Sequence, residues 1–310
     1  MYHIIVNPSS KSGLAKTQWK ELKKILDHKK VTYIVHFTKS EKELRQYTKS
    51  VTDKRLYLHN ARPNRLIVLG GDGTLNCVLN GVDDMQHTII SYMPTGTSND
   101  FARATKIATD AAGVVSALKK GGITARTDVG LVRFGRGERR FATSCGFGFD
   151  AATCEEVMRS PVKNLFNRLR LGRLIYCVIA LKQLITLKPV SCDLYLDDKP
   201  PVHIRRLLFA SFMQLPYEGG GFMLCPDANP EDGALDICIA SNLTALQALP
   251  IFPKALNGRH VNCRGIHMYR AKKIRIVASQ PLCVHTDGEI CGHYRELSLS
   301  TCDTPMYFRK

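Results

Sequence analysis

The chain has 310 residues, 44% of them apolar, and carries 44 Lys and Arg against 27 Asp and Glu, a formal net charge of +17. That length and hydrophobicity suffice for a large buried core split over about two domains of ~150 residues, which excludes a disordered chain and a disulfide-dependent miniature fold. The basic excess points to anionic partners, a nucleotide or an acidic membrane surface, while the lack of an uninterrupted apolar run of about 18 residues argues against a membrane-spanning helix.

In chain order, Tyr2 to Val6 predicts a short apolar strand, and the start of the chain lacks the basic and apolar regions of a secretory signal, so a cytoplasmic chain is expected. From Leu14 to His28, Leu14, Leu22, Ile25 and Leu26 recur among lysines as in an amphipathic helix. Thr32 to Phe37 is the next strand. Ser40, with Glu43 three residues on, forms a capping box that opens a helix to about Thr48. Leu66 to Leu69 and Ile89 to Met93 supply further strands, and Asp110 to Leu118 a further helix. Strands alternating with helices imply an α/β fold with a parallel, doubly wound, Rossmann-like sheet, whose ligands sit beyond the carboxyl ends of the strands.

Two glycine motifs fall at such ends. Gly70-Gly71-Asp72-Gly73-Thr74, between strand Leu66 to Leu69 and a helix from Leu75, has the order of a phosphate cradle: glycines permit close backbone approach, and the helix N-terminus favours an anion. Thr74 offers a hydroxyl, and Asp72 a carboxylate for a magnesium-bound water or a neighbouring group. The plain alternative is a tight strand-to-helix turn. Pro94 to Arg103 repeats this logic, with Gly96 and Thr97 placed to close over the same nucleotide; a helix capped by Asn99 or Asp100 is the alternative.

From about Thr124 the pattern turns to short β-rich runs: Thr127 to Phe134, Arg140 to Cys145, Ser191 to Leu196, Ile204 to Met213, Leu235 to Ala240, Ile274 to Val277 and Leu282 to His285. They predict a mostly antiparallel β-sandwich domain over residues 126–295, after a nucleotide-binding domain over 1–125 for which the tail 296–310 is a candidate completion. The loop Pro226 to Asp236 offers Asp232 and backbone carbonyls to a hard cation, or is an acidic hairpin. His285 to Glu289 sets Asp287 and Glu289 around a glycine after an apolar strand, as a base and its partner or as an ordinary Asp-Gly hairpin turn. Between Met158 and Cys192 lie Arg159, Lys163, Arg168, Arg170, Arg173, Lys182 and Lys188, with Leu165, Leu169, Ile175, Ile179 and Leu184 among them. That composition suits a helix on an anionic bilayer surface, or one covering the β domain with its charges in solvent. Scattered charge without a zinc finger, an RNP signature or an aromatic-interleaved stripe argues against nucleic acid. Eleven cysteines without a Cys-x-x-Cys pair fit reduced structural thiols.

Together, Gly-Gly-Asp-Gly-Thr-Leu-Asn (70 to 76), Pro-x-Gly-Thr-x-Asn-Asp-Phe-Ala (94 to 102), the Gly146 to Ala151 segment, the Pro226 to Leu235 loop and Asp287-Gly288-Glu289 resemble, in order and spacing, the diacylglycerol kinase catalytic family, most closely its small bacterial lipid kinases. The resemblance implies transfer of the ATP γ-phosphate to a lipid hydroxyl, first that of diacylglycerol; with the basic segment, the expectation is an enzyme held peripherally at the anionic inner face of the membrane. It implies ATP contacts from Asn7, Pro8, Thr38, Gly70, Gly71, Asp72, Gly73, Thr74, Leu75, Asn76, Gly96, Thr97, Asn99 and Asp100. It further implies Mg2+ at Asp232 with the carbonyls of Asn229 and Ala234, and Glu289 as proton acceptor with Asp287 as contender. Lys11 departs from the glycine usual in the opening turn. Sphingosine or ceramide as acceptor, a soluble NAD-kinase-like reaction, a non-catalytic regulator and a homodimer stay open.

Overall fold

The computed structural model describes residues 1–310 except 57–62, 119–123, 161–171, 187 and 189. Lys163, Leu165, Arg168, Leu169 and Arg170 of the basic segment lie outside the described residues. The chain divides into unit 1 (Met1–Val129, Gly219–Gly221 and Cys302–Lys310) and unit 2 (Gly130–Glu218 and Phe222–Thr301).

Unit 1 runs β1 (Tyr2–Val6), α1 (Leu14–His28), β2 (Tyr33–Phe37), α2 (Glu41–Val51), β3 (Asn64–Gly70), α3 (Asp72–Gly81), β4 (Thr88–Pro94), α4 (Asp100–Thr105), α5 (Ala111–Ala117) and β5 (Thr124–Thr127). Its sheet has the order β2-β1-β3-β4, followed by the C-terminal strand Met306–Arg309 and then β5. All neighbours pair in parallel except β5. Leu66, Ile67, Val68 and Leu69 are all fully buried, as the continuous apolar run of a strand covered on both faces requires. Trp19, Leu22 and Leu26 of α1 join Ala111, Val114 and Val115 of α5 against Ile4, Val6, Ile67 and Leu69, while α2 packs with α3. Ser40 Oγ accepts from Glu43 N at 3.3 Å, and the Glu43 carboxylate reaches back to accept from Lys39 N at 2.8 Å. Strand order reverses beside β1, so the ends of β1 and β3 flank the switch point where such sheets bind ligands.

Unit 2 comprises β6 (Gly130–Phe134), β7 (Gly137–Phe141), β8 (Ser144–Gly148), α6 (Phe149–Arg159), α7 (Gly172–Thr186), β9 (Val190–Leu196), β10 (Val202–Met213), β11 (Tyr217–Glu218), β12 (Phe222–Met223), β13 (Leu235–Ser241), α8 (Ala245–Ala248), α9 (Ile251–Ala255), β14 (Ile266–Ala271), β15 (Lys273–Thr286) and β16 (Glu289–Thr301). Its antiparallel sheet follows β14-β13-β10-β8-β15-β16-β6-β7, with β9 against both β10 and β15. Phe141, Phe147, Phe212, Ile237, Ile276, Val284 and Leu297 centre its core.

Three sequence expectations change. The run Thr127 to Phe134 is not one strand: Thr124–Thr127 belongs to the first sheet and Gly130–Phe134 to the second, divided at Asp128-Val129 where the chain leaves unit 1. The run Arg140 to Cys145 breaks at Ala142-Thr143, whose amides turn to a side chain instead of a neighbouring strand. Ile274 to Val277 and Leu282 to His285 merge into β15 across an irregularity, because β16 pairs with both.

Candidate active site

In unit 1 the two glycine motifs touch through their backbones. A Cβ on Gly96 would lie 2.6 Å from the Gly71 Cα, so a side chain there would force the loops apart. Asp72 joins them: its carboxylate accepts from the amides of Asp100 at 3.2 Å and Phe101 at 3.4 Å, at the start of α4. Asn99, at φ 51°, folds back so that Oδ1 accepts from Gly96 N at 2.9 Å and Nδ2 donates to Gly96 O at 3.1 Å. From behind, Asn7 Nδ2 donates to Thr74 Oγ1 at 2.9 Å, and Ser10 Oγ donates to Thr95 O at 2.7 Å. Gly220 N donates to Asp100 Oδ2 at 2.9 Å. The first backbone bond of α3 runs from Leu75 N to Gly71 O, and the amides of Gly73 and Thr74 precede it at the positive end of the helix.

Asn7, Gly70 to Thr74, Gly96, Asn99 and Asp100 are thus brought together. Pro8 follows Asn7 in the turn after β1, and Thr38 N donates to Val6 O, which sets Thr38 beside the end of β1. Thr97 is exposed, whereas Thr74, Leu75 and Asn76 are buried; the Thr74 hydroxyl is already bonded to Asn7.

In unit 2, β15 and β16 join through Asp287-Gly288, both left-handed (φ 49° and 83°), as a two-residue hairpin turn requires. Asp287 is anchored on both sides. Its Oδ2 accepts from Ala142 N at 2.9 Å, its Oδ1 from Thr143 N at 2.8 Å and Ser144 N at 3.0 Å, and its own N–H donates to Ser144 O. Those bonds break the predicted strand between β7 and β8. Glu289 opens β16 opposite Thr286 and is half-buried.

Behind the turn lies a buried polar cluster that sequence reasoning did not assemble. His285 Nε2 is 3.0 Å from Glu218 Oε1 and 3.4 Å from Asp150 Oδ2, and Nδ1 accepts from Gly288 N at 3.2 Å. Ser144 Oγ and Ser211 Oγ donate to Glu218 at 2.9 and 2.6 Å. Burial favours the neutral acid in both carboxyls. At Glu218, His285 and the two hydroxyls outweigh burial and hold the group below its ordinary range, whereas at Asp150 burial wins and the pKa rises. His285 thus stands between the turn and the two carboxyls, with Nδ1 facing the Gly288 amide and Nε2 facing Glu218 and Asp150. Asp150 lies in the Gly146 to Ala151 segment, but Glu218 has no local signature beyond standing before three glycines.

The loop before β13 places Asp232 between two donors. Oδ1 accepts from Ala234 N at 3.0 Å, and Oδ2 is paired with Arg270, which also lies 3.8 Å from Asp236. Asn229 Oδ1 accepts from Glu231 N at 3.1 Å. Carboxylate and carbonyl oxygens suit magnesium chemically, and Asp232 here faces the Arg270 guanidinium, which an ion at this loop would have to displace.

Residues 1–132 match the model of the diacylglycerol kinase catalytic domain, and residues 143–299 that of the YegS C-terminal NAD kinase beta sandwich-like domain. YtlR of Bacillus subtilis (strain 168), a protein named as a candidate lipid kinase, is 29% identical over 295 residues, covering 94% of each chain. A diacylglycerol kinase of Mycobacterium tuberculosis (strain CDC 1551 / Oshkosh) is 31% identical over 230 residues, covering 72% of this chain and 70% of its own. A diacylglycerol kinase structure from Bacillus anthracis str. Sterne superposes with a TM-score of 0.71 at 18% identity, over 99% of this chain and 96% of that one. The ATP complex of an NAD kinase from Archaeoglobus fulgidus gives 0.53 at 14% identity, over 100% and 94%. The chain therefore belongs to the diacylglycerol kinase family of lipid kinases.

Proposed function

We propose that the protein transfers the γ-phosphoryl group of ATP to the hydroxyl of diacylglycerol, giving phosphatidic acid and ADP. The observation that carries the reading is the backbone contact of the two glycine motifs, with Asp72 fastening one to the other at the switch point of the sheet. The amides of these loops and the Thr97 hydroxyl hold the phosphates and spread the charge that develops on them. ATP brings magnesium as part of the substrate, and no step is assigned to the Asp232 loop.

In unit 2 the two turn carboxylates are given different roles. Asp287 has both oxygens committed to three backbone amides and acts as the anchor of the turn. Glu289 takes the role of base: the acceptor O–H gives up its proton to Glu289, the oxygen forms its bond to γ-phosphorus, and the bond to the β–γ bridging oxygen breaks. The exposed Val178, Leu181 and Ile185 of α7 recur on one side of the helix and support contact with a bilayer surface. No helix among the described residues is long and apolar enough to cross a membrane.

The test is transfer from γ-labelled ATP with magnesium to diacylglycerol in mixed micelles, run beside sphingosine, ceramide and NAD. Wild type should label phosphatidic acid. Glu289→Ala should lose about 10² to 10⁴ in kcat with ATP binding retained. Preferential labelling of another acceptor would replace the substrate, and near-normal turnover in Glu289→Ala would remove the base.

A further inference from the structure

Farther along the same hairpin, a second set of donors lies under α6. Cys283 and His293 stand directly opposite one another on β15 and β16. Leu282 and Val284 point into the sandwich core, so strand alternation turns Cys283 the other way, toward α6. Glu155 of that helix reaches the pair, with Oε2 3.4 Å from His293 Nε2. One donor atom from each of Glu155, Cys283 and His293 lies within 4.8 Å of the other two. The Cys283 side chain is 3% exposed, and among the described residues its thiol has no hydrogen-bond partner. Arg159 Nη2 holds the other Glu155 oxygen at 2.8 Å, an outer contact that orients the carboxylate.

We propose that Glu155, Cys283 and His293 form a binding site for a divalent cation of the zinc class. A thiolate, an imidazole and one carboxylate make a donor set too soft for magnesium or calcium and suited to zinc or cobalt, with a fourth position open to water. Bonds of about 2.0 to 2.3 Å put tetrahedral ligand atoms roughly 3.5 Å apart, so the three side chains need only small rotations to close on an ion. The ion then ties α6 to both strands of the hairpin that carries Asp287 and Glu289. This assignment is independent of the acceptor that the enzyme uses.

The full-length, reduced protein is stripped with a chelator and titrated with Co2+, whose thiolate charge-transfer band reports sulfur ligation, and Zn2+ is then added in competition. Wild type should develop the band at one equivalent and lose it to Zn2+. Cys283→Ser should abolish the band, and His293→Gln, at an exposed position where folding is not at stake, should bind Co2+ about tenfold or more weakly. No band in wild type, a band surviving in Cys283→Ser, or unchanged affinity in His293→Gln overturns the assignment.

Discussion

The glycine loops of unit 1 and the hairpin turn of unit 2 use backbone amides in opposite ways. In unit 1 the side chains of Asn7 and Asn99 hold the loops from within, and glycine keeps side chains out of the contact, so that amides at the start of α3 can serve an anion. In unit 2 the amides of Ala142, Thr143 and Ser144 are consumed by a carboxylate of the protein itself. An anion-binding turn needs empty space in front of its amides. A turn that presents a base needs its own backbone pinned.

If that contrast is right, the largest loss of stability follows Asp287→Ala, which leaves three amides without their acceptor and places alanine at φ 49°. The cost is about 3 kcal/mol or more, read as a lower denaturant midpoint for the transition that reports unit 2. Asp287→Asn keeps one acceptor oxygen and tolerates the left-handed backbone, so it should fall between Asp287→Ala and wild type. Glu289→Ala should cost less than about 1 kcal/mol in the same assay. Equal losses at Asp287 and Glu289 would erase the distinction between anchor and base.

Gly96→Ala tests the other side of the comparison. Its Cβ meets the Gly71 Cα, which is backbone and cannot rotate away, so the two loops must separate. A loss of about 2 kcal/mol is expected, together with weaker ATP binding by calorimetry. Wild-type affinity in that variant would show that the contact is only packing.

Unit 1 was legible because its signals are local: a fully buried apolar run at Leu66 to Leu69, a cap at Ser40, and glycines at strand ends. Unit 2 was less so. The break between β7 and β8 is imposed by Asp287, 144 residues farther on than Thr143, and Arg140 to Cys145 carries no mark of it. Strand β16 escaped because the run from Cys291 to Glu296 shows no sustained apolar alternation; its strand form comes from pairing with β15, with Leu297 and Leu299 in the core and Cys291 and Tyr294 packed against it. Glu218 enters the cluster through Ser144, Ser211 and His285, from three different strands.

The smallest effect sharpens the contrast most. Thr97 is exposed and has no hydrogen-bond partner among the described residues, so unit 1 does not need it to fold. Thr97→Ala should leave the unfolding midpoint within about 0.5 kcal/mol of wild type. A single hydrogen bond to a charged phosphate is nevertheless worth ~1.5 kcal/mol or more, so KM for ATP should rise about tenfold. Asn99, two residues on, is the opposite case: its amide closes the Gly96 loop through two bonds, and its removal should lower stability and affinity together. A Thr97→Ala variant with unchanged KM would take the hydroxyl out of the nucleotide contacts and leave the loop's function to its backbone alone.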